Sequence, residues 1–213
     1  MAMLGLIGGP MLCLAGFAKR GLGAGAVAPD SYSPDNVGVV ESFAVTAPAG
    51  GPMRPAIEYY HAAFDHYFVT HIPDEIAKLD NGTFVGWART GLQFNVHALP
   101  GNGLSPVCRF FSTAFGARSS HFYAATAREC ATVKANPDWQ FEADVFHVPY
   151  PTTSGACPAG TVPVYRMYNR GKDGAPNHRF TTDSSVRAQM LALPWPWQPE
   201  GEGPLGVSMC SPN

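Results

Sequence analysis

Bulky apolar and polar residues alternate in three short stretches of this chain, at residues 57–61, 107–112 and 164–169. An alternation with a period of two residues predicts a β-strand that buries one face. A turn and a second apolar stretch, which begins near a histidine, follow each of them. We therefore predict three β-hairpins along the chain.

A short helix is predicted after each hairpin. The first begins at Pro73 with acidic residues in its first turn, which is the usual arrangement at a helix N-terminus. The second begins near Thr126, with Glu129 three residues later as in a capping box. Asp183 or Ser184 caps the third. A tryptophan then opens a third predicted strand in each case.

The same order of signals therefore occurs three times, with a period of about 55 residues. The histidines in this pattern are His66, His121 and His178, and the tryptophans are Trp87, Trp139 and Trp197. A β-β-α-β unit of this size cannot bury its sheet face and its helix face alone. The sequence predicts an α+β domain of three such repeats with pseudo-threefold symmetry, trefoil-like or propeller-like.

The repeats are assigned to residues 56–104, 105–156 and 157–213. Residues 1–28 are largely apolar and are interpreted as an export signal or apolar leader. Lys19 and Arg20 follow the apolar run instead of preceding it, so either the true start lies upstream or the segment has another role. Residues 29–55 form a linker rich in Gly, Pro and Ala, with one candidate extra strand at 37–45.

Four cysteines lie within the repeats, and an even number predicts two disulfides in an exported domain. Of the three pairings that four cysteines allow, we favour Cys108 with Cys130 and Cys157 with Cys210. A zinc site would need C-x₂-C pairs, and the sequence has none. The expected location is extracellular or periplasmic.

Composition narrows the function further. The chain has 14 Lys and Arg against 16 Asp and Glu, a net charge of −2, and no basic run that could follow a phosphate backbone. Nucleic acid is therefore not an expected partner. The chain carries no G-x-S-x-G, H-E-x-x-H or glycine-rich phosphate loop, so we name no catalytic residue, cofactor or metal. We expect a monomer.

Five residues are candidates for ligand contact. His66, His121 and His178 occur once per repeat, and they fit either a structural hydrogen bond or a ligand contact. A three-histidine metal site is disfavoured because only His66 has a neighbouring acidic residue. Trp195 and Arg170 lie in segments predicted to be exposed loops.

Charged residues at matching repeat positions predict structural ion pairs. Arg109 and Arg166 occupy the same place in the first strand of their repeats, and Glu142 and Glu200 follow the repeat tryptophans. The first repeat has the opposite charges, Glu58 and Arg89. We expect each first strand to lie beside its third strand with an arginine and a glutamate paired, although a polar binding site remains an alternative.

Three segments resemble a known family: residues 57–68, residues 177–182 and residues 197–201. The chain resembles an uncharacterised secreted bacterial repeat family, a domain of unknown function whose copies read V-Y-R-x-Y-N, H-F-Y-T-T and G-W-x-x-E-G. That module is often appended to exported hydrolases, including cell-wall lytic enzymes. Thr90 departs from the pattern, because it stands where the family has glutamate.

The resemblance implies a non-catalytic extracellular module that binds cell-surface or extracellular glycans. Its partners would be a glycan or cell-wall surface, and an upstream catalytic domain or another protein. A structural or protein-interaction module is the alternative, and a hydrolase is a third hypothesis. Repeated clusters of exposed aromatic and polar residues would favour glycan binding. A single deep pocket with a histidine and a carboxylate from different repeats would favour hydrolysis.

Overall fold

The computed structural model describes residues 50–195 and 197–213, all of which belong to one unit of the chain. The predicted leader, most of the predicted linker and the extra strand at 37–45 lie outside the described residues. β1 already begins at Met53, within the segment predicted as linker.

The first repeat is a hairpin, a helix and a long strand. It consists of β1 (Met53–His61), β2 (His66–Thr70), α1 (Pro73–Asp80) and β3 (Trp87–His97). Asp65 in the hairpin turn has a φ of 56°, a left-handed conformation that Asp and Asn tolerate better than most residues. Pro73 opens α1, where its missing N–H costs nothing.

The second repeat has the same element order. It consists of β4 (Leu104–Ser112), β5 (Ser120–Ala124), α2 (Ala127–Lys134) and β6 (Gln140–Pro149). Thr126 caps α2, because its side chain accepts a hydrogen bond from the backbone N–H of Glu129.

The third repeat divides its last strand in two. It consists of β7 (Thr161–Tyr168), β8 (His178–Thr181), α3 (Ser184–Leu191), β9 (Gln198–Glu200) and β10 (Val207–Pro212). β9 pairs with the end of β7 and β10 pairs with its beginning. A short loop between β9 and β10 therefore interrupts what is one continuous strand in the other repeats. A 3₁₀ turn at Lys172–Gly174 precedes β8.

These strands form two antiparallel sheets, and the predicted α+β, trefoil-like or propeller-like class is wrong. Strands make up 44% of the described residues and helices 17%. A contact between β3 and β6, at His97 and His147, joins the first two repeats into one sheet with the order β2-β1-β3-β6-β4-β5. The third repeat forms a separate four-stranded sheet. The repeat pattern predicted similar units, but it did not reveal which edge strands would pair.

The core lies where the third strands of the repeats meet. Val96 of β3, Val148 of β6 and Met209 of β10 are almost fully buried in one cluster. Ser211 in β10 accepts a hydrogen bond from the backbone N–H of Asn95 in β3, so the last strand is also tied to the first sheet. This shared core holds the repeats against one another.

Two disulfides connect the described residues, as the cysteine count predicted. Cys108 bonds to Cys130 and links β4 to α2, and Cys157 bonds to Cys210 and links the entry of the third repeat to β10. Both pairs are those favoured from the sequence. Within residues 50–195 and 197–213, no helix is long and apolar enough to cross a membrane.

Candidate functional site

Strand register shows which positions of the three repeats are equivalent. His121 lies opposite Phe111 across its hairpin and His178 lies opposite Tyr168. In the first repeat the same place is occupied by Tyr67, which lies opposite Tyr60. The histidine pattern in the sequence therefore shifts by one residue in the first repeat, and a one-residue shift turns the side chain to the other face of the strand.

His66 is instead equivalent to Ser120 and Asn177, and all three are buried. His66 Nδ1 lies 2.7 Å from the carbonyl oxygen of Ser119. The Ser120 hydroxyl donates to the carbonyl oxygen of Pro176 at 2.5 Å. The Asn177 side chain bonds the backbone of Tyr67. Each residue thus joins its repeat to the next, which is a structural role.

An arginine bound to two carboxylates lies between the first two repeats. Arg109 of β4 donates two hydrogen bonds to Glu75 of α1, at 2.6 and 2.9 Å, and one to Glu142 of β6 at 2.6 Å. Arg109 is buried, while the two glutamates are partly exposed. Glu75 lies in the first turn of its helix, where a carboxylate is stabilised by the helix dipole. The network therefore ties β4 of the second repeat to α1 of the first repeat.

Aromatic rings surround this network and form what we call the first cleft, with a volume of about 530 Å³. The ring of Phe68 lies under the Arg109 guanidinium at 5.5 Å and edge-on to Trp87. Trp87 is partly exposed. Phe84 and Val85 form an apolar rim, with 44% and 81% of their surfaces exposed. Its lining includes Phe68, Glu75, Trp87, Arg109, His121 and Glu142.

His121 adds no positive charge to the first cleft at neutral pH. Its ring lies between Phe68 and Phe111, and Nε2 is 3.7 Å from a carboxylate oxygen of Glu142. Burial, together with the charge of Arg109, lowers the pKa of His121 to about 3. The guanidinium of Arg109 also holds the pKa of Glu75 below its usual value against the opposing effect of burial.

The second cleft repeats this arrangement between the second and third repeats. Arg166 of β7 donates to Glu129 of α2 at 2.7 Å and lies 3.4 Å from Glu200 of β9. His178 Nε2 contacts the same oxygen of Glu200 at 3.0 Å, and burial lowers the pKa of His178. The cleft has a volume of about 740 Å³. Its lining includes Phe122, Glu129, Trp139, Arg166, His178 and Glu200.

At the third interface, between the third and first repeats, an acidic residue takes the place of the strand arginine, and an arginine lies across from it. Glu58 occupies the place of Arg109 and Arg166, and Arg179 occupies the place of Phe68 and Phe122. The two side chains pair at 2.9 and 3.0 Å.

The Arg179 side chain fills the space that is an open cleft at the other two interfaces. The Arg179 guanidinium lies 4.2 Å from the centre of the Tyr67 ring, and one of its nitrogens is 3.4 Å from the sulfur of Met190. Trp197, the equivalent of Trp87 and Trp139, is only 3% exposed here. Val186 replaces the helix glutamate. The clefts therefore belong to two of the three interfaces.

The ion pairs expected from the sequence are found in the second and third repeats. Arg109 pairs with Glu142 and Arg166 with Glu200. Glu58 and Arg89 do not pair with each other, because Arg89 lies against the exposed Asp80 while the buried Glu58 faces Arg179. Thr90 occupies the position that Glu142 and Glu200 hold in the other repeats. Because Arg89 is the residue next to it, the Arg89 side chain points to the other face of β3.

The remaining predicted residues lie apart from the clefts. Trp195 is 46% exposed and its indole N–H donates to the carbonyl oxygen of Asn169. The Arg170 guanidinium lies 5.4 Å from the Trp195 ring, so these two candidates contact each other outside both clefts. The three predicted histidines do not converge on one site.

Metal-ligand residues form one close group among the described residues. This group consists of Cys108, Cys130 and Asp144. The two cysteines are joined in a disulfide and offer no thiolate, so the group is not a metal site.

From the sequence we did not identify the helix glutamates Glu75 and Glu129, or Arg179, as residues of the interfaces between repeats. Glu75 and Glu129 occupy the same position in the first turns of α1 and α2, and that match is visible in the sequence once the helices are aligned. Arg179 follows His178 at a position where the second repeat has an aromatic residue. Only the strand pairing shows that it faces Glu58.

Fold and clefts together define a disulfide-linked, mostly β domain of three related units with two repeated clefts. The chain belongs to the family described as Domain of unknown function (DUF5648), which matches residues 55–206. No curated protein matches the chain, and no solved structure matches it.

Proposed function

We propose that this domain is a non-catalytic extracellular module that binds glycans, with sugar rings held in the first and second clefts. Two disulfides are consistent with an oxidising, extracellular environment. Export of the chain and attachment to a cell surface are part of this proposal.

The observation that carries the proposal is the repetition of a partly exposed tryptophan beside an arginine–carboxylate network. Trp87 lies beside Arg109 in the first cleft and Trp139 beside Arg166 in the second. A flat aromatic face can stack on the apolar face of a sugar, while charged groups nearby bond its hydroxyls. Both cleft volumes lie within the range of small-molecule sites.

The charge states favour binding over hydrolysis. A catalytic acid at neutral pH needs a carboxyl with a raised pKa. Here the pKa values of Glu75 and Glu200 are lowered, because Arg109 and the pair of His178 and Arg166 stabilise the carboxylates. His121, with its pKa near 3, is a poor base at neutral pH. A structural role explains the buried arginines and the packing of Trp87 and Trp139 against the core, but it does not use the part of each indole that stays exposed in its cleft.

The test is binding of the full chain, with both disulfides intact, to insoluble cellulose, chitin and peptidoglycan and to a glycan array. We expect saturable binding to at least one glycan. Trp87→Ala combined with Trp139→Ala should weaken it by tenfold or more, since each stacked ring contributes about 1 kcal/mol or more. Near-ultraviolet circular dichroism and thermal unfolding would verify that the variants fold.

Trp195→Ala is the matched control, because this exposed tryptophan lies outside both clefts. It should leave binding unchanged. Failure of the folded protein to retain any glycan would refute the proposal. So would binding that survives loss of Trp87 and Trp139 but disappears in the Trp195 variant.

A further inference from the structure

We infer that the two clefts select sugars that carry a protonated amine, such as β-1,4-linked glucosamine, over neutral, acidic or N-acetylated sugars. This inference rests on the proposed function and specifies its ligand. Three features support it: the balance of charge in the clefts, the carboxylates already bound to Arg109 and the cation held at the third interface.

The first cleft carries more negative than positive charge. Its charged lining residues are Glu75, Glu142 and Arg109, so two carboxylates face one guanidinium. His121 is neutral at physiological pH and does not alter this balance. An acidic sugar would be repelled here, whereas an ammonium group would restore neutrality.

Arg109 is already committed to protein carboxylates. Three of its five N–H donors bond Glu75 and Glu142, so its charge and most of its hydrogen bonds are already taken by protein carboxylates. Arg109 and His121 both face the Oε2 atom of Glu142. The Oε1 atom is therefore the oxygen that can accept a hydrogen bond from a ligand ammonium.

The second cleft has the same excess of negative charge and one additional acid. Glu129, Glu200 and the exposed Asp138 are its acidic lining residues, against the single cation Arg166. His178 and Arg166 both contact the Oε2 atom of Glu200, which leaves Oε1 for a ligand. We expect this more acidic cleft to bind the amine more strongly than the first cleft does.

The third interface shows how a cation is held at this place in the fold. The Arg179 guanidinium there lies over the Tyr67 ring and is paired with Glu58. A cation between an aromatic face and a carboxylate is thus already part of this protein. In the first cleft the indole of Trp87 and the carboxylate of Glu142 line the same cavity, and Trp139 and Glu200 line the second, so a ligand cation has an aromatic ring and a carboxylate within one cleft.

A sugar amine fits the clefts better than a lysine side chain. The cleft volumes of about 530 and 740 Å³ exceed what a single extended side chain fills, and each contains the ring of a tryptophan. A hexosamine presents an apolar ring face to the indole and an ammonium group to the carboxylate. We therefore take oligolysine as a competing outcome of the test.

The experiment compares three soluble sugar oligomers of equal length by calorimetry near pH 6: β-1,4-linked glucosamine, its N-acetylated form and the neutral glucose oligomer. Oligolysine is measured in the same way. A sugar amine is protonated at about this pH. We expect the amine to bind at least tenfold more tightly than the other two, because a charged hydrogen bond and a cation–aromatic contact are both lost without it. Asp138→Asn should weaken binding of the glucosamine oligomer severalfold and leave binding of the neutral oligomer unchanged.

Asp74→Asn is the matched control, because this exposed carboxylate on α1 pairs with Lys78 and does not line either cleft. It should not change binding of the amine. Equal or tighter binding of the neutral or N-acetylated oligomer would overturn the inference and leave glycan binding intact. Equally tight binding of oligolysine would show that positive charge alone determines binding, and it would overturn the inference as well. If none of the three sugars binds, the inference is overturned, and the glycan array decides separately whether the proposed function fails as well.

Discussion

At the scale of single residues, the register of each hairpin decides which side chains reach a cleft. Tyr67 holds the place that His121 and His178 hold elsewhere, although His66 stands beside it in the sequence. The neutral aromatic ring packs in all three cases. A histidine at this place is costly to protonate, because burial and a neighbouring arginine oppose the positive charge.

Stability should therefore depend on pH through His121. Its folded pKa of about 3 lies below the ordinary value of 6.5, so below pH 6.5 the unfolded chain takes up a proton that the folded protein does not. Folding stability is lost as pH falls from about 6.5 toward 3, by about 1.4 kcal/mol per pH unit from this residue. His121→Tyr should reduce the slope by that amount in urea denaturation series.

Phe111→Tyr serves as the control, because Tyr168 occupies the equivalent place and the change adds no histidine. It should leave the slope of stability against pH unaltered. An unchanged slope in the His121 variant would show that His121 is protonated as readily in the folded protein as in the unfolded chain.

At the scale of elements, arginine–glutamate pairs join a strand of one repeat to a helix or strand of its neighbour. Arg109 ties β4 to α1, and Arg166 ties β7 to α2. At the third interface the tie joins β8 to β1 through Arg179 and Glu58. This last pair is the most deeply buried of the three, and the cavity that Glu58 lines has a volume of only about 20 Å³, too small for a ligand.

The Glu58–Arg179 pair should behave as a buried ion pair. Glu58→Leu leaves Arg179 without its partner, and we expect the free energy of unfolding to fall by roughly 3 kcal/mol. The double variant Glu58→Leu with Arg179→Met should recover most of that loss, since apolar residues of similar size can replace a buried pair. Urea denaturation of both single variants and the double variant gives the coupling energy. Additive losses in the double variant would mean that the two side chains do not interact.

At the scale of the whole molecule, two sheets and a shared core hold the three repeats, and the disulfides close loops of different length. Cys157 and Cys210 are 53 residues apart, whereas Cys108 and Cys130 are 22 apart. The longer loop spans nearly all of the third repeat and fixes β10, the strand that meets the central core.

Removal of the longer-loop disulfide should therefore cost more stability. Replacing Cys157 and Cys210 by serine should lower the free energy of unfolding by about 4 kcal/mol, against about 3 kcal/mol for Cys108 and Cys130. Thermal and urea unfolding of the two double-serine variants would measure both losses. A larger loss from the Cys108 variant would indicate that strain or packing, and not loop entropy, controls these bonds.

The sequence by itself determined most of the local elements and the repeat, and it favoured the two disulfide pairings that the structure shows. Hydrophobic alternation and helix-capping residues such as Thr126 act over a few neighbouring positions, so they can be read without a fold. The pairing of Arg109 with Glu142 was also predictable, because both recur in the next repeat as Arg166 and Glu200.

Tertiary structure alone decided how the repeats assemble and where the clefts lie. The joining of β3 to β6 depends on which strand edges meet, and the local pattern of either strand does not encode that choice. The clefts form between repeats, where Glu75 meets Arg109 from 34 residues away. Arg179 and Glu58 lie 121 residues apart, and only folding brings them together to leave two clefts instead of three.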